Sequence, residues 1–367
     1  MYSGTQRGPW MSHHRNSKHM SLILPCYNID QYFTECIHSI LVQKDIDKCQ
    51  VICVNDGSSD GTTKLIDKFA KKHPNIIQVV ENKINSGVSV SRNAGINMVK
   101  SPNIMFIDGD DLIGGQPDTL NKINRYYLQE FYDTMMSNPD CSMVVGNMTF
   151  VDSDANSIIN TNRTEEMKKL LARGKTSYDK SLDFLDRRVS SCATLFRTNI
   201  IQKYNLRFRP QMIYYEDADF VTRYAISCTK EFPYIYAPTT NETYYLYRRR
   251  PNSAMVKLSR HSEKYIRRLE RIKNRLAYYA AFMRNCEKEF GYDSRIFNIV
   301  AHRYTNTLKT IDRYATRANR SDYSALKKCI PIDCIGCYNH DCGICPSLSG
   351  LCNLRNICLK RLVVRQR

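Results

Sequence analysis

Three carboxylates close a short apolar run in this chain, Asn103-Ile-Met-Phe-Ile-Asp-Gly-Asp-Asp-Leu112. The run from Ile104 to Ile107 reads as a buried strand. Asp108, Asp110 and Asp111 follow it, with Gly109 between the first two. Carboxylates at the C-terminal end of a central strand stand at the mouth of an open α/β sheet, where such folds bind ligands. Asp108 and Asp110 are two residues apart and can reach one hard cation, and oxygen donors suit Mg²⁺ or Mn²⁺. Taken alone, the segment reads equally well as a polar turn, since Asp and Gly both form turns. A second acidic stretch, Tyr214-Tyr-Glu-Asp-Ala-Asp-Phe220, opens an amphipathic helix to about Ser227. Alone, it reads as an acidic first turn that complements the helix dipole.

The elements that must position these groups alternate. Ser21 to Asn28 is a short apolar strand stopped by Pro25, and Thr34 to Gln43 has helical spacing. Val51 to Val54 is a second strand, followed by the turn Asn55-Asp-Gly-Ser-Ser-Asp-Gly61, with Asp60 capping a helix to about Lys72. Ile76 to Val80 is a third strand, Gly87 to Val99 a helix, and Ile104 to Ile107 a fourth strand. This alternation predicts βαβ units and a mainly parallel sheet flanked by helices. Right-handed crossovers put the strand C-termini on one side, so Tyr27, Asp56 and Asp108 face one crevice. Beyond it, Asp118 to Ser137 reads as a long helix and Met143 to Val145 as a strand. Residues 151 to 177 read as a polar surface excursion. Cys192 to Phe196, Pro233 to Ala237 and Thr243 to Tyr247 are strands, and Thr198 to Tyr204 is a short helix. Tyr244, Tyr245 and Tyr247 are expected to pack rather than catalyse. Two long helices, Ser262 to Cys286 and Arg295 to Arg317, form a helical extension. The domain boundaries expected are a disordered leader over 1–19, an α/β domain over 20–256, the extension over 257–328 and a Cys-rich basic tail over 329–367, with Met1 and Met20 both candidate starts.

The 367 residues carry a formal net charge of +18, with pI about 9.3. Such an excess suits an anionic partner, whether nucleic acid, an acidic membrane surface or phosphorylated substrates. A hydrophobic fraction of 42% is that of a globular protein. No window of 18 or more apolar residues marks a transmembrane helix, and the first 19 residues contain no apolar core of a signal peptide. The 15 cysteines are therefore expected as free thiols in a reducing cytoplasm.

Six motifs in order resemble a family 2 glycosyltransferase of the GT-A fold, an inverting family of bacterial surface-polysaccharide type that uses nucleotide-diphospho-sugars. They are Leu24-Pro-Cys-Tyr-Asn28, Val54-Asn-Asp-Gly-Ser-Ser-Asp-Gly61, Gly87-Val-Ser-Val-Ser-Arg-Asn-Ala-Gly95, Ile107-Asp-Gly-Asp-Asp111, Glu216-Asp217 and Tyr247-Arg-Arg-Arg-Pro-Asn-Ser253. The resemblance runs from about Met20 to Ser253. It implies that Pro25, Tyr27 and Asn28 line the base pocket, that Asp56 accepts a hydrogen bond from the base, and that Arg92 faces nucleotide or phosphate. Asp108 would approach ribose and metal, Asp110 would hold a Mn²⁺ or Mg²⁺ ion bridging the phosphates, and Asp111 would support them. Asp217 would be the general base for an acceptor hydroxyl, with Glu216 beside it and Asp219 only structural. Arg248, Arg250 and Ser253 would belong to a mobile segment closing over the diphosphate.

The resemblance further implies a nucleotide-sugar donor, a UDP-sugar above all, a glycan or lipid-linked acceptor, and attachment to the inner face of the cell membrane without a spanning helix. The basic stretch from Lys264 to Arg275 and the tail from Leu351 to Arg367 would suit an anionic membrane surface. Cys334-Ile-Gly-Cys337 and Cys342-Gly-Ile-Cys345 are paired thiolate knuckles that can hold structural Zn²⁺ or an iron–sulfur group, but only four residues separate the pairs, which favours free thiols or a disordered tail. A nucleotidyl or phosphosugar transferase would need a Gly- and Lys-rich loop near the first strand, and Leu24 to Asn28 offers none. The competing reading is a basic nucleic-acid or membrane-binding protein on a degenerate scaffold. A carboxylate-lined crevice repels phosphodiesters, so no nucleic-acid partner is expected.

Overall fold

The structure is a computed structural model that describes residues 18–116, 123–158, 174–177, 190–212, 214–228, 231–238 and 244–250, with Arg275, Tyr278, Tyr279, Phe282, Val300, Arg303, Tyr304 and Thr307. Strands β1 (Met20–Cys26), β2 (Cys49–Asp56), β3 (Ile77–Asn82) and β4 (Asn103–Phe106) are mutually parallel in the order β3-β2-β1-β4. The sheet continues through β9 (Thr194–Arg197), β6 (Cys141–Val145), β10 (Tyr234–Tyr236) and β8 (Lys175–Ser177). Strand β9 is antiparallel to both β4 and β6, β10 is parallel to β6, and β8 is antiparallel to β10. A second sheet of three strands has β11 (Tyr244–Arg248) between β5 (Leu112–Gly115) and β7 (Asn147–Val151).

The sequence forms this sheet because its central strands are buried on both faces. Every residue of β2 is buried, as parallel strands covered by helices require. Leu22, Leu24 and Cys26 of β1 pack with Phe33, Ile37 and Ile40 of α1 (Asp30–Leu41), Ile66 and Phe69 of α2 (Thr62–Lys72) and Phe131 of α4 (Tyr127–Ser137). Ile23, pointing the other way, lies against Gly95 of α3 (Val88–Asn97), where a Cβ would come within 2.3 Å of its side chain. On that second face Phe106, Phe196, Phe208 and Phe220 form a ring cluster, with Phe208 and Phe220 stacked 4.2 Å apart. Phe220 comes from α6 (Glu216–Cys228), the helix that follows the short α5 (Thr198–Lys203). That cluster fixes α6 against the sheet, so its first turn comes to rest beside the strand ends.

The mainly parallel α/β sheet flanked by helices is borne out. The long helix expected from Asp118 is shorter: α4 begins only at Tyr127. Ahead of it Asn124 donates its N–H to Gly114, and the Arg125 carbonyl accepts from Lys44, so the chain is spent on loop pairings there. Strands β5, β7 and β8 were not expected. Each is three to five residues long, too short for alternation to stand out from turn chemistry. The polar excursion over residues 151 to 177 therefore ends in an edge strand. The leader up to residue 17, most of the two long extension helices, Ser253 and the Cys334, Cys337, Cys342 and Cys345 knuckles lie outside the described residues. Among the described residues no helix is long and apolar enough to cross a membrane.

Candidate active site

The parallel strands deliver Tyr27, Asp56 and Asp108 to one side of the sheet, Asp56 as the last residue of β2 and the others just beyond β1 and β4. Tyr27 is 42% exposed there, leaving an aromatic face open to a planar ring. Asn28, with φ of 49°, ties its loop to the β2–α2 turn. Its N–H donates to Ser58 Oγ at 3.2 Å and its Oδ1 accepts from Ser59 N–H at 2.9 Å. Asp60 accepts from Thr62 N–H and from Asp30 N–H, while Asp30 accepts from Gly61 N–H, so two helix N-termini cap each other. Asp56 is buried and already engaged. Its Oδ1 accepts from Asn82 Nδ2 at 2.7 Å and Ser86 N–H at 3.0 Å, and its Oδ2 accepts from Gly87 N–H at 2.8 Å. These bonds hold the loop that leads into α3.

The carboxylate turn is held from below and from above. Gly109 donates its N–H to the Pro25 carbonyl, and a Cβ at Gly109 would fall 2.6 Å from Ile29 and 3.0 Å from Cys26 Sγ. The residue between Asp108 and Asp110 must therefore be glycine. From above, β11 of the small sheet contributes Tyr245, whose hydroxyl accepts from Asp108 N–H at 3.0 Å and donates to Asp111 Oδ2 at 2.7 Å. Asp111 is 1% exposed and its Oδ1 accepts from Arg248 N–H at 2.8 Å. Both of its oxygens are thus used inside the protein, in keeping with a supporting role. Arg248 is as buried as Asp111. It donates to the Asp110 carbonyl, to the Ser153 carbonyl and to Glu35, and lies 5.0 Å over the Tyr32 ring. Arg250 pairs with Asp110 Oδ2 at 2.5 Å.

Arg92 joins the two acidic stretches. It is 3% exposed on α3, donates to Asp108 Oδ1 at 2.8 Å and to Glu216 Oε1 at 3.2 Å, and lies 5.1 Å from the Phe208 ring centre. Burial pushes the Glu216 carboxyl up to about 7; Asp217 beside it adds to the shift and Arg92 opposes it. Burial likewise raises Asp110 against the pull of Arg250, and raises Asp111, with Asp110 and Asp108 adding their like charge. All three carboxyls are raised first because they are buried away from water, and their like charges add to it. Asp217 stands in the first turn of α6, where its Oδ1 accepts from Ala218 N–H. Asp219 is bound by Arg223 and Arg209.

Asp108 and Asp110 set hard oxygens on one turn, each facing one arginine, Arg92 and Arg250. That fits a divalent cation such as Mg²⁺ or Mn²⁺. Direct contacts thus join Glu216, Arg92 and Asp108 in one chain and Asn28, Arg250, Asp110 and Arg248 in another, with Gly109 bonded to Pro25 between them, while Tyr27, Asp56 and Asp217 make no hydrogen bond or ion pair with these groups among the described residues. Sequence reasoning missed Glu35 and the hydroxyl of Tyr245. Glu35 carries no motif, since only the fold brings it to Arg248. The Tyr245 hydroxyl had a faint signal, because a tyrosine buried in a strand needs a partner for its oxygen.

Comparison with known proteins agrees with the fold. The chain is 30% identical over 206 residues to a teichoic acid poly(glycerol phosphate) polymerase of Staphylococcus epidermidis, which covers 56% of this chain but only 26% of that protein. The chain thus spans about a quarter of the length of that relative. The structure of S. aureus TarS 1-349 in complex with UDP shares the fold at a TM-score of 0.57 and 15% identity, covering 85% of this chain and 81% of that one. Mannosyltransferase PcManGT from Pyrobaculum calidifontis, in complex with GDP-Man and Mn²⁺, shares it at 0.50 and 13% identity, covering 95% and 87%. The family model described as glycosyl transferase family 2 matches residues 21–204, half of the chain, and the chain accordingly belongs to glycosyl transferase family 2.

Proposed function

We propose that this chain transfers a sugar from a nucleotide-diphospho-sugar, a UDP-sugar, to a hydroxyl of a cell-surface glycan or lipid-linked polymer, with inversion at the anomeric carbon. The observation that carries the reading is the Arg92 bridge, with Asp108 on one side and Glu216 on the other. It sets a donor-side carboxylate pair and an acceptor-side carboxylate pair a single guanidinium apart. Tyr27 stacks on the base, and Asp56 holds the loop that borders it. Asp108 and Asp110 would hold a divalent cation, which supplies positive charge to the departing diphosphate. Asp217 takes the proton from the acceptor hydroxyl as that oxygen attacks from the face opposite the diphosphate. Glu216, held by Arg92, orients the acceptor beside it. Arg250 adds positive charge at the diphosphate, and Ser253 would follow it in the same segment. The UDP and GDP-Man in the two structures that share the fold, and the Mn²⁺ in one of them, support the donor and cation classes. The name of the Staphylococcus epidermidis relative supports a polymer of the cell surface as acceptor. Work at such an acceptor would bring the basic chain to the inner face of the membrane as a peripheral protein.

Two substitutions test the reading. Asp217→Asn is expected to lower kcat by roughly 10²–10⁴-fold, the usual worth of a positioned base, with UDP affinity retained. Asp110→Ala is expected to abolish both transfer and metal-dependent UDP binding. Release of UDP from a panel of UDP-sugars, with and without Mn²⁺, reads both. Near-normal turnover by Asp217→Asn would remove the base assignment.

A further inference from the structure

Three arginines stand in a row from the end of β11, Arg248 to Arg250, and the first and third are held very differently. Arg248 is 2% exposed and donates through Nε, Nη1 and Nη2 to three separate acceptors, the carbonyls of Asp110 and Ser153 and the carboxylate of Glu35. Arg250 keeps 20% of its side chain exposed. Among the described residues it makes a 2.5 Å ion pair with Asp110 Oδ2, a long hydrogen bond of 3.5 Å to the Asn28 carbonyl and a contact 5.8 Å over the Tyr32 ring. Arg248 is fixed by its surroundings, whereas Arg250 is held chiefly by one carboxylate. That carboxylate is one of the two assigned above to a divalent cation. A guanidinium nitrogen already in contact with Asp110 and an ion bound at about 2.1 Å would place two cations side by side on one group.

We propose that Arg250 is the resident cation of the ion-free site. It neutralises Asp110 until a divalent ion binds, gives up the carboxylate to that ion, and is thereby freed to pair with the diphosphate of the donor. Arg248 stays in place throughout as the anchor of the segment. One side chain then serves as placeholder in the empty site and as diphosphate ligand in the loaded one. A consequence is cooperative loading: the nucleotide gives the displaced guanidinium a new anionic partner, so nucleotide and ion each favour the binding of the other. The inference rests on the reading of Asp110 as a cation ligand.

Mn²⁺ binding to the full chain, followed by the EPR signal of free Mn²⁺, tests it with and without UDP. Arg250→Gln is expected to bind Mn²⁺ more tightly than wild type when UDP is absent, by about fivefold or more, the effect of removing one neighbouring charge even in a high-dielectric setting. UDP should tighten Mn²⁺ binding by the wild type and do so less for Arg250→Gln, with Arg250→Lys between the two. Unchanged or weaker Mn²⁺ binding by Arg250→Gln without UDP would overturn the exchange while leaving the transferase reading intact. Failure of the wild type to bind Mn²⁺ under either condition would remove the cation assignment, and the exchange with it.

Discussion

Arg92 is the residue on which both halves of the crevice depend. A guanidinium this buried is tolerated because two carboxylates face it from different elements, and removing one partner of a buried pair costs on the order of 3–5 kcal/mol. Glu216 keeps a raised carboxyl in spite of Arg92, because it is buried and Asp217 stands beside it. Its carboxyl titrates at about 7 in the folded protein against 4.5 for the ordinary group. The folded state therefore binds the proton more tightly than the unfolded chain. The favourable contribution is complete below about pH 4.5 and is lost as pH rises towards 7, by up to ~3 kcal/mol. Glu216→Gln cannot ionise, so its thermal unfolding temperature is expected to fall less than that of the wild type between pH 5 and pH 8. Parallel pH profiles for the two proteins would show that Glu216 is not the group responsible.

At the scale of elements, the turn after β2 decides where Asp56 sits. Gly57 has φ of 67°, and a Cβ there would lie 2.7 Å from the Ile84 carbonyl carbon. The loop carrying Ile84 is the one Asp56 holds through Ser86 and Gly87. Gly57→Ala should cost roughly 1–3 kcal/mol in chemical denaturation and should weaken UDP binding by moving that loop. A variant with wild-type stability would mean that the turn relaxes without strain. The glycines and aspartates of this turn were legible in the sequence because turn chemistry is local. Strand β11 was legible as a strand, but its task was not. Nothing in Tyr244-Tyr-Leu-Tyr-Arg248 indicates which hydroxyl will be used. That is decided when β11 pairs with β5 and β7 and Tyr245 is brought to Asp108 and Asp111.

At the scale of the whole molecule, Arg275 and Tyr278 reach back to the acidic helix. Tyr215, immediately before Glu216, has φ of 66°, a conformation that costs a non-glycine residue about 1 kcal/mol or more. It is held by Arg275, which donates to its hydroxyl through Nε at 2.8 Å and Nη2 at 2.5 Å, and by Tyr278, stacked 6.3 Å away. Tyr278 is pinned in turn to Thr222 of α6 at 2.9 Å. Arg275 and Tyr278 thus help to aim the first turn of α6, where Glu216 and Asp217 stand. Arg275→Ala is expected to lower kcat several-fold with UDP affinity unchanged, measured by steady-state kinetics alongside UDP titration. Equal losses in both, or none in kcat, would separate Arg275 from the acceptor side.

The sequence by itself determined the parallel sheet, the glycine turns and the carboxylates at the strand ends, because each is written in residues within a few positions of one another. It also supplied the motifs that relate the chain to its family. Tertiary structure alone decided how these groups meet. Arg92 and Glu216 are 124 residues apart, and Glu35 and Arg248 are 213 apart. Such pairs follow from strand order and from the packing of Phe208 and Phe220 beneath α6, which no local pattern encodes. It decided as well that Arg248 is buried and pinned while Arg250 rests on Asp110. Neighbouring arginines look alike in a sequence and are distinguished only by what surrounds them.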